Sequence, residues 1–111
     1  MIRAEFYMDR HQHLYGYCVD GHAGFGEEGY DIICAAVSSL ALNTANSIEV
    51  LAHQAVETEV HDGHLLVIVP SIKDGKECRE AELLIASLRL GLESIRDSYG
   101  SKYLTLSNNQ N

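Results

Sequence analysis

Asp31-Ile32-Ile33-Cys34-Ala35-Ala36-Val37-Ser38-Ser39-Leu40-Ala41-Leu42-Asn43-Thr44-Ala45-Asn46-Ser47 decides how the rest of this chain is organised. Ile33, Val37, Leu40 and Thr44 recur at three- and four-residue spacing, with Ala36 and Ala41 beside them, so the spacing predicts a buried helix from about Ile32 to about Ser47. Asp31 is expected as its N-cap, which makes Cys34 the third helical residue. There, unpaired backbone N–H groups and the positive end of the helix dipole favour a thiolate. Ser38 lies one turn further on and shares the face of Cys34.

Upstream stands Gly21-His22-Ala23-Gly24-Phe25-Gly26-Glu27-Glu28-Gly29-Tyr30, which joins an imidazole to the thiol through a glycine-rich loop. A thiol reacts as its thiolate, and a nearby histidine can take the proton. Gly24, Gly26 and Gly29 give the loop conformations other residues avoid, as a substrate-gating lid requires. Asp31 either caps the helix or orients His22, since one carboxylate cannot do both. A cysteine between Ile33 and Ala35 is also the ordinary pattern of a small core residue, and the glycines equally suit a plain strand-to-helix connection. Residue types alone leave these alternatives open.

Outward from this centre, elements alternate simply. Ile2 to Tyr7 reads as a strand, Met8 to Gln12 as a turn, and Leu14 to Val19 as a second strand ending just before His22. Glu49 to Val60 and Leu65 to Val69 are expected as a second hairpin, with Asp62-Gly63 at its turn and Pro70 stopping the second arm. A helix from about Glu77 to Tyr99 carries Leu84, Leu88, Gly91 and Ile95 on one face, widened by Ile85 and Leu92, and Gly100 ends it. Lys102 to Leu106 adds a last strand, and 107–111 is expected to be a disordered tail after a single domain spanning 1–106. The order strand-strand-helix, strand-strand-helix, strand implies an α+β fold: two layers, with two helices on a mixed or antiparallel sheet of about five strands.

Gly21-His22-Ala23, the glycine-rich loop and Asp31-Ile32-Ile33-Cys34-Ala35-Ala36-Val37-Ser38 together resemble the signature of the bacterial ribosomal-processing cysteine proteases known as Prp, and the likeness extends to length and order of elements. The resemblance implies a compact cytoplasmic homodimer that removes the N-terminal extension of large-subunit ribosomal protein L twenty-seven during ribosome assembly. It implies Cys34 as nucleophile and His22 as base; the residue pattern, apart from the resemblance, offers Asp31 and Ser38 as supporting groups. It also implies a substrate with bulky apolar or aromatic residues just before the cut. Such a dyad needs no metal or organic cofactor.

Composition is compatible with that expectation. The chain has 111 residues, which fits one domain, and three cysteines without regular spacing, which read as reduced thiols rather than a disulfide framework. The start of the chain lacks the charged-then-apolar order of a signal peptide, and no apolar stretch reaches the roughly 18 residues of a transmembrane helix, so a cytosolic location and no membrane partner are expected. A formal charge of −8 disfavours a nucleic-acid backbone and favours a basic protein substrate.

Other groups compete for a role. His11-Gln12-His13 and His61-Asp62-Gly63-His64 have spacings a metal could use and, with the cysteines, make a zinc site conceivable. No Cys-x-x-Cys or His-Glu-x-x-His motif supports one. Cys18 and Cys78 are expected to be packing or incidental thiols, and Tyr7, Tyr15 and Tyr17 to fill a sheet face. The rival functions are a non-catalytic dimeric peptide-binding module acting in ribosome assembly, which would bind without cleaving, and a thiol-redox or metal-responsive protein.

Overall fold

The computed structural model describes residues 1–21 and 30–110, with only the backbone of Tyr30 and Asp31. Its elements are β1 (Ile2–Met8), β2 (Leu14–Asp20), α1 (Tyr30–Val50), β3 (Glu57–His61), β4 (His64–Ile68), the single turn α2 (Pro70–Lys73), α3 (Arg79–Tyr99) and β5 (Leu104–Gln110). The sheet runs β3-β4-β2-β1-β5. Its pairings are antiparallel except β1 with β5, which is parallel. The fold is the expected α+β arrangement with a mixed five-stranded sheet.

Register explains the two faces. Phe6 pairs with Tyr17 and Tyr17 with Val67, while Ala4 pairs with Val19 and Val19 with Leu65. Because strand side chains alternate with period two, these rows share one face. Phe6, Tyr17 and Val67 are fully buried there with Ile33, Val37, Ala41 and Ile48 of α1 and Ile85 and Leu92 of α3. The Tyr17 hydroxyl donates to the Ala41 carbonyl at 2.7 Å, fastening α1 over the central strand. Truncating a fully buried side chain such as Ile48 or Leu92 to alanine would cost about 2–5 kcal/mol. The other rows, Arg3-Asp20-His64 and Glu5-Cys18-Leu66, occupy the opposite face.

Several expected boundaries move. α1 runs from Tyr30 to Val50 rather than from Ile32 to Ser47, because its buried stripe continues through Ala45 to Ile48. Glu49 and Val50 are therefore helical. The first arm of the second hairpin starts only at Glu57, after a turn in which His53 has a φ of 55°. Asp62-Gly63 makes the expected turn, with Gly63 at φ 72°. Pro70 ends β4 by opening α2 at a position where its missing N–H costs nothing. α3 begins at Arg79, and its innermost stripe is Ala81, Ile85, Leu88 and Leu92, so Leu84 and Ile95 lie at the margin.

The expected tail is the largest correction. Ser107 to Gln110 belong to β5, paired in register from Ile2 with Leu104 to Met8 with Gln110. Polar side chains suit an edge strand whose ladder satisfies the open side of β1. Asn111 lies outside the described residues.

Candidate active site

The end of β2, the beginning of α1 and the tip of the β3–β4 hairpin enclose a cavity of about 160 Å³. Cys34 and Ser38, one turn apart, line it on the α1 side with Val37 and Ala41, while Ile2, Val19 and Leu65 come from the sheet and Val60, His61 and His64 from the hairpin. Cys34 is half-buried and packed against the core, whereas Ser38 is exposed. The spacing of the helix stripe produces this: Ile33 and Val37 point into the core, which turns Cys34 and Ser38 to its margin.

Helix α1 starts at Tyr30, so Asp31 lies inside the first turn instead of preceding it, and Cys34 is the fifth helical residue rather than the third. The first four backbone N–H groups of the helix, those of 30–33, have no acceptor within it. They stand immediately before Cys34 in the chain. The side chain of Asp31 lies outside the described residues, as do His22, Gly24, Gly26 and Gly29 and the acidic pair Glu27 and Glu28.

Gly21 is described, and it defines how the chain leaves β2. Its φ is 115°, its N–H donates to the Gly63 carbonyl at 2.9 Å, and a Cβ added to it would stand 2.1 Å from the Met1 carbonyl oxygen. A side chain at this position would therefore collide with backbone and strain its own. Residue 22 follows from a fixed point beside the cavity.

A constellation that sequence pattern did not single out lies on the other face of the sheet, at the same end. Asp20 accepts from His64 Nδ1 at 2.5 Å through Oδ1 and from the Cys18 thiol at 3.5 Å through Oδ2. Cys18 Sγ also lies 3.9 Å from His64 Nδ1. Burial, reinforced by the negative charge of Asp20, pushes the Cys18 thiol up to about 11, while the hydrogen bond from His64 holds the Asp20 carboxyl below its ordinary value. A base for Cys18 would have to present one ring nitrogen to the sulfur and the other to the carboxylate. Here both contacts fall on Nδ1, and the thiol is held protonated, so Cys18 is not set up as a nucleophile. The sequence carries half of this signal, since His64 stands in His61-Asp62-Gly63-His64, but only the pairing of β4 with β2 brings Cys18 and Asp20 to it.

The remaining expected groups have local duties. Asp9 Oδ1 accepts the backbone N–H of His11 at 2.8 Å and of His13 at 3.0 Å, which shapes the β1–β2 turn. His13 reaches Glu82 through Nδ1 at 2.8 Å and Glu77 through Nε2 at 3.2 Å, so its ring joins that turn to the start of α3 rather than meeting His11 at a shared metal. Cys78 is the residue before α3, and its thiol points at Glu80 Oε2 at 3.7 Å. Tyr7 stacks on Tyr15, ring centroids 5.9 Å apart, and Tyr15 and Tyr17 are buried, as face-filling side chains would be.

Comparison with known proteins places this arrangement in context. The sequence profile of the family described as Cysteine protease Prp matches residues 1–104. The ribosomal processing cysteine protease Prp of Bacillus subtilis is 28% identical over 101 residues, covering 89% of this chain and 90% of the relative. Its namesake from Staphylococcus aureus is 28% identical over 81 residues, covering 73% and 74%. Among solved structures, SMU.848 from Streptococcus mutans is 32% identical with a TM-score of 0.79, covering 100% of this chain and 96% of its own. The ribosomal processing protease Prp of S. aureus in complex with a substrate peptide gives a TM-score of 0.85 at 23% identity, covering 98% and 100%, and at that identity is a likeness of fold.

Proposed function

We propose, from the premise that this chain belongs to the cysteine protease Prp family and is a thiol protease, that Cys34 is its nucleophile, His22 its base, and the N-terminal extension of ribosomal protein L twenty-seven its substrate. The observation that carries this reading is Cys34 itself, half-buried on the wall of a cavity at the start of α1 and following directly on the amides of the first turn, which have no acceptor within the helix. Gly21 supports it, because the chain leaves β2 toward His22 from a rigid point on the rim of that cavity.

The chemistry follows from these positions. His22 takes the Cys34 proton, and the thiolate attacks the scissile carbonyl carbon. Main-chain amides near the start of α1 hold the oxyanion, a donation worth on the order of a hundredfold in rate per lost hydrogen bond. Protonated His22 then gives its proton to the departing amine, and water hydrolyses the acyl-enzyme to free the thiol. Gly24, Gly26 and Gly29 let the loop open for an extended peptide and close to exclude water, with Asp31 and Ser38 in supporting places. The −8 charge favours a basic ribosomal protein as substrate, and the enzyme acts as a homodimer in the cytoplasm.

Incubation of the protein with an L twenty-seven extension peptide, followed by mass spectrometry, tests this. A shorter product lost in Cys34→Ser and in His22→Ala, with peptide binding kept, is expected. Full cleavage by Cys34→Ser would overturn the assignment of the nucleophile, and binding without any cleavage would favour a peptide-binding module.

A further inference from the structure

We propose that Cys18, Asp20 and His64 form a binding site for a divalent transition-metal ion of the zinc class, one that ties β2 to β4 at the foot of the segment carrying His22. Asp20 and His64 are direct cross-strand partners in an antiparallel ladder, and Cys18 precedes Asp20 by two residues, so all three side chains rise from one face. One donor atom from each lies within 4.8 Å of the other two. These are a sulfur, an imidazole nitrogen and a carboxylate oxygen, the ligand types that borderline zinc accepts and that magnesium and calcium, which take oxygen, do not favour.

The distances suit a tetrahedral ion. With zinc bonds of about 2.3 Å to sulfur and about 2.0 Å to nitrogen and oxygen, the sulfur-to-nitrogen and sulfur-to-oxygen edges are roughly 3.5 Å and the nitrogen-to-oxygen edge roughly 3.3 Å. The sulfur lies 3.5 Å from Asp20 Oδ2 and 3.9 Å from His64 Nδ1. The 2.5 Å contact of His64 Nδ1 is with the other carboxylate oxygen, Asp20 Oδ1, and is the short one. Opening it by under an ångström requires only rotation of the Asp20 side chain, which is 51% exposed. The ion replaces the Cys18 thiol proton, which passes to solvent, and takes over from the His64–Asp20 hydrogen bond, the proton of His64 Nδ1 moving through solvent to Nε2 so that Nδ1 can bind. Water fills the fourth position. Asp20 is the last residue of β2 and Gly21 already bonds to Gly63, so the ion adds a second tie at that point, independently of the Cys34 chemistry.

The test uses the full chain with Cys34→Ala, so that this thiol offers no competing ligand, titrated with cobalt(II) by absorbance and with zinc(II) by calorimetry. One equivalent should bind, with a thiolate-to-cobalt charge-transfer band, and zinc should raise the unfolding temperature. Adding Cys18→Ser should abolish the band, and adding His64→Ala or Asp20→Asn should weaken zinc at least about tenfold. His64 and Asp20 are partly exposed, so those two variants decide the matter if Cys18→Ser fails to fold. No saturable binding, a band that survives Cys18→Ser, or unchanged zinc affinity in His64→Ala would overturn the proposal.

Discussion

Gly21 fits against Met1 with no room for a side chain: a Cβ on Gly21 would approach the Met1 carbonyl oxygen to 2.1 Å, and the glycine holds a φ of 115°. Neither problem can be relieved by rotating a side chain, because both partners are backbone. Gly21→Ala should therefore destabilise the fold by at least about 2 kcal/mol, combining left-handed strain with displacement of the first strand. Turnover should fall as well, since residue 22 starts from this point. Denaturant midpoints and peptide-cleavage rates measured together check this; an unchanged midpoint would show that the close approach is not real.

Tyr17 sets α1 on the sheet through its hydroxyl. Ala41 lies in the interior of α1, on the same stripe that brings Cys34 to the cavity wall, so the 2.7 Å bond from Tyr17 fixes how the helix is seated. Tyr17→Phe should cost about 1 kcal/mol, the usual net value of a buried hydrogen bond, with the ring's packing kept. A loss of several kcal/mol would mean that the hydroxyl also excludes a misplaced helix; no loss would mean the bond is not formed in solution.

Local periodicity made the two long helices, the four strands before α3 and the seat of Cys34 legible, because a stripe at helical spacing and alternation in a strand are written in neighbouring residues. Ile33 and Val37 alone turn Cys34 toward the margin of the core. What stayed hidden depends on long-range pairing. Ser107-Asn108-Asn109-Gln110 has the composition of a tail and becomes strand because β1 offers it an open edge. Cys18, Asp20 and His64 look unrelated until β4 is laid beside β2. The boundary at Glu49 was missed for another reason: Ile48 extends the buried stripe by a turn beyond the point where small polar residues suggested an end.

Deletion of 107–111 separates the two accounts of the C-terminus. Removing Ser107 to Gln110 takes away the β5 partners of Glu5, Phe6, Tyr7 and Met8 and exposes backbone donors and acceptors of β1. A clear fall in unfolding temperature and faster amide exchange in β1 are expected, with more self-association through the bared edge. A truncated chain of full stability and unchanged exchange would restore the tail.

His13 should make stability depend on pH in a definite direction. Its ring bonds to Glu82, and this contact, helped by the charges of Glu82, Glu77 and Asp9, raises its pKa above the ordinary histidine value. A group raised in the folded state stabilises fully below its unfolded pKa of about 6.5 and loses that contribution as pH climbs through the folded value. The stability advantage of the parent over His13→Gln should therefore be greatest in mild acid and fade toward alkaline pH. It should also shrink with added salt, since the ring is partly exposed. Because every other residue is the same in both proteins, the difference between them isolates position 13. An advantage that stays constant or grows with pH would show that the ring's link between the β1–β2 turn and α3 is not ionic.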